Sequence, residues 1–299
     1  MHEDIKSWLS KTGYPLELAV QKLASAKGYL CEKSTIYTDI ESGVAREVDL
    51  TAYSHGMQTD EYSYDIQYLF ECKKSEKPLL VLCETNSKRE RYEHYFGHEV
   101  VTDGGSYANS LAYFHLHDLT HDARIEKIGK FAEEVYSGYS IVPAFSKSDE
   151  NIYKGIMGLA KANDHYRKEY YECFRMARSD PQSHMVDANP FQLLIPVLVV
   201  DAPLYTVYLT DSGSEAIGET DWASLLVRLP WVLGKPDEER RCNIQVVRKD
   251  ALESFLDSVE QLHGYISQPK IVSTAVARIT KQSNRTQKSF AFLRRLFRR

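Results

Sequence analysis

Hydrophobic and polar positions change period several times along this chain. Leu16, Ala19, Val20 and Leu23 recur at helical spacing between Pro15 and Gly28. That predicts a helix, since proline suits a first helical turn and glycine a helix end. The period then drops to two. Tyr29–Ile40, Val44–Ser54 and Tyr64–Lys73 read as three strands in succession. Glu41-Ser42-Gly43 is the first turn, and residues 55–63 form a polar loop. Pro78 opens Leu79–Glu84, a short buried strand.

Farther along, Ile125, Ile128 and Ala132 make the stripe of a helix over 122–137. Ile152, Ile156, Leu159, Asn163, Tyr166, Tyr170 and Phe174 give a longer helix, about 151–178, its buried face. A Ser/Asn-rich loop over 179–190 leads to adjacent strands at 191–200 and 203–209. A polar turn region at 211–221, an apolar stretch at 225–233, a strand at 242–248 and a capped helix at 250–262 follow. Before all of these, residues 3–11 form a short helix carrying Ile5, Trp8 and Leu9. Strands this late complete a sheet begun in the first half. The chain is therefore expected to be α/β, with one elaborated domain over 1–265 and a tail over 266–299.

Alternation in the second and third strands has a chemical consequence. It sets Glu47, Asp49 and Thr51 on one face, and Leu69, Glu71 and Lys73 on one face of the next strand. If the strands pair through the loop between them, Asp49, Glu71 and Lys73 converge. Two carboxylates crowded together repel, and a divalent cation between them removes the repulsion. Mg²⁺ takes oxygen ligands, often one or two carboxylates with water and phosphate oxygens. A lysine beside it can orient or deprotonate a water, which is what phosphodiester hydrolysis needs. The bland alternative is an ordinary cross-strand ion pair of Lys73 with Asp49 or Glu71.

The order Asp49, then Glu71-Cys72-Lys73 one strand later, resembles the PD-(D/E)XK nuclease superfamily, with its restriction-endonuclease-like fold. Gly13-Tyr14-Pro15-Leu16-Glu17 resembles the helix that carries a further glutamate in that family. The resemblance covers roughly residues 12–85, and Val48 stands where many members have proline. It implies a core of a helix, a three-strand meander and further strands. It also implies a Mg²⁺-dependent nuclease, with Mn²⁺ as substitute, that hydrolyses phosphodiester bonds in DNA. Asp49 and Glu71 would hold the metal, the Cys72 carbonyl would be a further ligand, Lys73 would work on the water, and Glu17 would complete or steer the metal site. The implied setting is prokaryotic restriction, repair or anti-phage defence. A silent binding or scaffold module of the same fold and an RNA-directed nuclease are the alternatives. The bland alternative for Glu17 is a carboxylate favouring its helix N-terminus.

Composition narrows the setting. A hydrophobic content of 43% suffices for a globular core. Five cysteines without a CxxC pair suggest reduced thiols and a cytoplasmic protein. The start, Met1-His2-Glu3-Asp4, lacks an apolar signal region, and the apolar run Leu193–Val200 is too short for a membrane span. Of the 37 Lys and Arg residues, 9 fall in 261–299, which has no acidic residue; the other 28 share the chain with all 42 Asp and Glu. A basic tail on an acidic body suggests DNA, a protein partner, a homo-oligomer contact or an anionic membrane surface as the tail's target. Lys154, Lys161, Lys168 and Arg175 recur every seven residues, a row able to neutralise a phosphate backbone or simply a solvated helix face. His94, His98, His115, His117 and His121 cluster without cysteines at zinc spacing, and ordinary histidines are expected there. Glu84 is a rim position rather than a further site carboxylate.

Overall fold

A computed structural model describes residues 1–9, 12–58, 62–83, 100–102, 137–146, 150–179, 189–232 and 241–266. Its first half runs α1 (His2–Leu9), α2 (Tyr14–Ala26), β1 (Leu30–Thr38), β2 (Ala45–Gln58), β3 (Tyr62–Lys74), β4 (Leu79–Cys83), β5 (Val100–Thr102) and β6 (Ser137–Pro143). The long helix α3 (Glu150–Ser179) leads to β7 (Asn189–Asp201), β8 (Leu204–Leu209), β9 (Glu215–Glu219), β10 (Trp222–Arg228), β11 (Arg241–Arg248) and α4 (Leu252–Ile266). The fold is mixed α/β. All described strands join one sheet in the order β1-β2-β3-β7-β11-β10-β6-β4-β8-β9, with β5 beside β7.

The helix and the three-strand meander appear where the periodicity predicts them. In α2, Leu16, Val20 and Ala24 are buried, with Leu23 packed against them, whereas Ala19 is exposed and lies off the stripe. Gly28 ends the helix at φ +83°, and the Tyr29 N–H returns to the Ala24 carbonyl at 3.1 Å. Only glycine reaches that left-handed conformation without a steric penalty. β1, β2 and β3 pair antiparallel. The hairpin between β2 and β3 is longer than the polar pattern suggests, with pairing as far as Gln58 and Ser63, because inter-strand hydrogen bonds satisfy a polar segment as well as an apolar one.

β3 then pairs in parallel with β7 over its whole length, Tyr62 opposite Asn189 through Lys74 opposite Asp201. A parallel neighbour requires a long crossover, and α3 lies within it. β7 is the centre of the molecule. Leu193, Ile195, Val197 and Val199 join one core with α2 and α4; Leu194, Leu198 and Val200 join the other with α3. Burial on both faces is why this strand reads as an unbroken apolar run. Pro196 is tolerated at its middle because β5 pairs with residues 191–193 and β11 with 197–200, so that among the described residues that edge has no partner between them.

Several assignments are corrected. β7 and β8 are sequence neighbours but not sheet neighbours: β8 lies between β4 and β9. The chain leaves β3 and β7 together, with the Leu79 N–H on the Pro203 carbonyl at 2.8 Å, and carries β4 and β8 onward as a second parallel pair. Ser137, expected to end a helix, begins β6, and β9 occupies the expected turn region. Residues 122–136 of the expected helix, the five clustered histidines, Glu84, residues 180–188 of the expected loop and residues 267–299 of the tail lie outside the described residues. Among the described residues no helix is long and apolar enough to cross a membrane.

Candidate active site

One irregularity of the sheet lies beside the candidate residues. The β1–β2 ladder pairs Lys33 with Leu50 and Thr35 with Val48, but skips Ser34 and Asp49. Ser34 has φ +53°, a left-handed value that serine adopts at an energetic cost. Two residues apart on a regular strand share a face. Here Val48 packs into the α3-side core and Leu50 into the α2-side core. β2 therefore turns over at Asp49. The residue at the twist stands between both helical layers, which is how side chains from opposite faces can come near it.

Leu50 opposite Phe70 is the end pair of the β2–β3 ladder, and Asp49 and Glu71 are the residues next beyond it. The Cys72 N–H donates to Asp49 Oδ2 at 2.8 Å. The Lys73 ammonium donates to Glu71 Oε1 at 2.5 Å. From α2, Glu17 feels the charges of Asp49 and Lys73. The structure thus brings Glu17, Asp49, Glu71 and Lys73 into one electrostatic cluster. Cys72 itself points its thiol into the α2-side core and is buried.

The cluster holds its protons unusually tightly. Burial pushes the Glu71 carboxyl up to about 7, with Asp49 adding to the rise and Lys73 opposing it. Burial also raises Asp49, against the Cys72 N–H and Lys73, and Glu47 adds repulsion. Glu17 is raised by burial and then by Asp49. Burial alone would lower the Lys73 ammonium, but the Glu71 carboxylate and then Asp49 more than offset it, so the lysine stays charged. Three carboxyl groups with one ammonium carry more negative charge than a buried site tolerates unassisted.

The lysine row has other partners. Lys154 pairs with Glu150 at 3.0 Å, Lys168 with Asp164 at 2.8 Å and Arg175 with Glu172 at 2.6 Å. Lys161 is largely buried and bridges Glu41 at 2.6 Å and Asp39 at 2.9 Å, with its ammonium 5.4 Å from the Trp231 ring centre. Asp39 also receives Arg46 at 2.8 Å and the N–H groups of Glu41 and Ser42. Although burial opposes it, the Lys161 bond and its companions hold the Asp39 carboxyl far below the usual range. This network clamps the β1–β2 turn onto α3.

Three further residues lie near the cluster. Lys33 lies within electrostatic reach of Glu17, Glu47 within reach of both Glu17 and Asp49, and Gly155 of α3 packs against Glu71 and Lys73. Glu47 shares the Asp49 face and was findable from spacing. Lys33 and Gly155 come from elements whose placement no local pattern encodes.

The donor set suits a hard cation. It offers carboxylate oxygens and carries excess negative charge. As the side chains stand, no three His, Cys, Asp or Glu groups among the described residues are placed so that they could hold a metal ion together. Comparison of the chain with protein-family models, with curated proteins and with solved structures gives no match.

Proposed function

We propose that this protein is a metal-dependent nuclease of the PD-(D/E)XK type that cleaves DNA, using Mg²⁺ or, in its place, Mn²⁺. The observation that carries the reading is the meeting of Glu17, Asp49, Glu71 and Lys73, from a helix and two strands, at the point where β2 turns over. The path of the chain supports it as well: a helix, a three-strand antiparallel meander, and a fourth strand parallel to the third with α3 in the connection.

Asp49 and Glu71 would hold the metal, joined by the Cys72 carbonyl and steered by Glu17. A bound divalent cation supplies an activated water and charge stabilisation at the phosphate. The protein's own contribution is positional. The Cys72 N–H fixes one Asp49 oxygen and leaves the carboxylate oriented. Lys73, anchored on Glu71, keeps an ammonium at the site to orient the attacking water and meet developing phosphate charge. Leu69, on the same face of β3, and Val200, paired with Lys73 in the sheet, are both buried beside these groups.

The test is direct. Purified protein with Mg²⁺ or Mn²⁺ should cut DNA, and Asp49→Ala and Lys73→Ala should each lower the rate by roughly a hundredfold or more, with circular dichroism unchanged. Unchanged cutting by both variants removes the site assignment. A wild type that cuts no single- or double-stranded DNA removes the activity.

A further inference from the structure

We propose that Gly155 of α3 is a positioning residue for Lys73, an assignment that rests on the nuclease reading. Glycine is the poorest helix former after proline, yet here it sits buried inside a 30-residue helix. Its neighbours give the reason. A Cβ at 155 would stand 3.0 Å from Lys73 Cε, 3.2 Å from Glu71 Cγ and 3.4 Å from Lys73 Cγ. The first two separations are closer than ordinary van der Waals contact between carbons. The helix cannot back away to make room. Ile152, Ile156, Leu159 and Ala160 of α3 are locked into one core with Leu69, which precedes Glu71 on the same face of β3. The bare backbone at 155 therefore acts as a wall along the alkyl stems of Glu71 and Lys73, and holds the ammonium on the carboxylate at 2.5 Å.

Gly158, three residues on, is the internal contrast. A Cβ there meets only the Tyr37 hydroxyl, at 3.7 Å, an ordinary contact. The two glycines share a helix but not a constraint. A methyl at 155 must displace the part of its surroundings that yields most easily. That part is the lysine stem, because rotating a flexible side chain is far easier than shifting a packed helix.

Gly155→Ala is compared with Gly158→Ala in the full chain. Gly158→Ala should melt at or above the wild-type temperature, since alanine is the better helix former. In Gly155→Ala, acylation of Lys73 by a water-soluble succinimidyl acetate, read by mass spectrometry, should rise about threefold or more as the stem leaves its wall. DNA cutting should fall about tenfold or more in kcat with KM within about twofold, because the misplaced group serves the reaction rather than binding. Gly158→Ala should change neither. Labelling and cutting in Gly155→Ala that match Gly158→Ala overturn the proposal. If Gly155→Ala fails to fold, adding Lys73→Ala removes the nearer of the two stems the methyl meets and should restore folding; a double variant that stays unfolded also overturns the assignment to Lys73. A wild type that cuts nothing sinks the nuclease reading alone, and the labelling comparison still decides whether Gly155 positions Lys73.

Discussion

Replacing Glu71 by glutamine isolates the electrostatic claim from catalysis. Glutamine keeps the shape and an acceptor for Lys73 but has no charge to bury. The wild-type carboxyl sits at about 7 in the folded protein against an ordinary value of 4.5, because burial and Asp49 favour its neutral form. A raised folded value means that its stabilising contribution is whole below about pH 4.5 and is lost as the pH climbs through about 7. At roughly 1.4 kcal/mol per pH unit, that gap is a ceiling of about 3 kcal/mol. The side chain is only 14% exposed, so solvent screens little of it. Urea unfolding in EDTA at pH 4.5 and pH 8 reads the effect. Glu71→Gln should be near wild type in stability at the lower pH and more stable by up to about 3 kcal/mol at the higher. Excess Mg²⁺ at pH 8 should stabilise the wild type and do less for the variant. A stability difference that stays flat with pH, or a variant less stable than wild type at pH 8, would show that Lys73 fully compensates the buried charge, and the reasoning would be wrong.

Two other expectations concern regions away from the cluster. Asp39→Asn breaks the clamp between the β1–β2 turn and α3 and leaves Lys161 without its buried partner, which should destabilise the fold by roughly 3 kcal/mol at neutral pH. Because the Asp39 carboxyl is held below its ordinary value of 3.8, its contribution is whole above that pH and drains away as the pH falls below it, so the variant and wild type should converge in acid unfolding. Removing residues 278–299 should weaken DNA binding and flatten its dependence on salt, measured by fluorescence anisotropy across a salt series; an unchanged slope would assign the basic tail to another partner.

How much of this was legible beforehand follows from the range of the forces involved. Short-range patterns carried α2, the β1–β2–β3 meander, the stripe of α3 and the run of β7, because burial of one face writes a period into the residues themselves. The same alternation set Glu71 and Lys73 on one face and Asp49 within reach across the hairpin. The resemblance that grouped these residues with Glu17 used their order alone. The sheet order was not legible. Nothing in Phe191–Val200 and Pro203–Leu209 says that the second strand will leave the first and lie beside β4, since that choice follows from both edges of β7 being taken, one by β3 and the other by β5 and β11. The same limit hid the fate of the lysine row. Its spacing is a property of the helix, but Lys161 meets Asp39 across 122 residues of chain, and only the packing of α3 on the β1–β2 turn brings them together.

The sequence by itself determined α2, the β1–β2–β3 meander, α3 and β7, though not β6 or β9, and which charged side chains share a strand face, because those follow from neighbours a few residues away. Tertiary structure alone decided the turnover of β2 at Asp49, the approach of α2 and α3 from opposite sides, and the burial that lifts Glu71 toward neutrality. Each of these depends on excluding water between elements distant in the chain, and no local pattern encodes how deeply a given carboxylate will be covered.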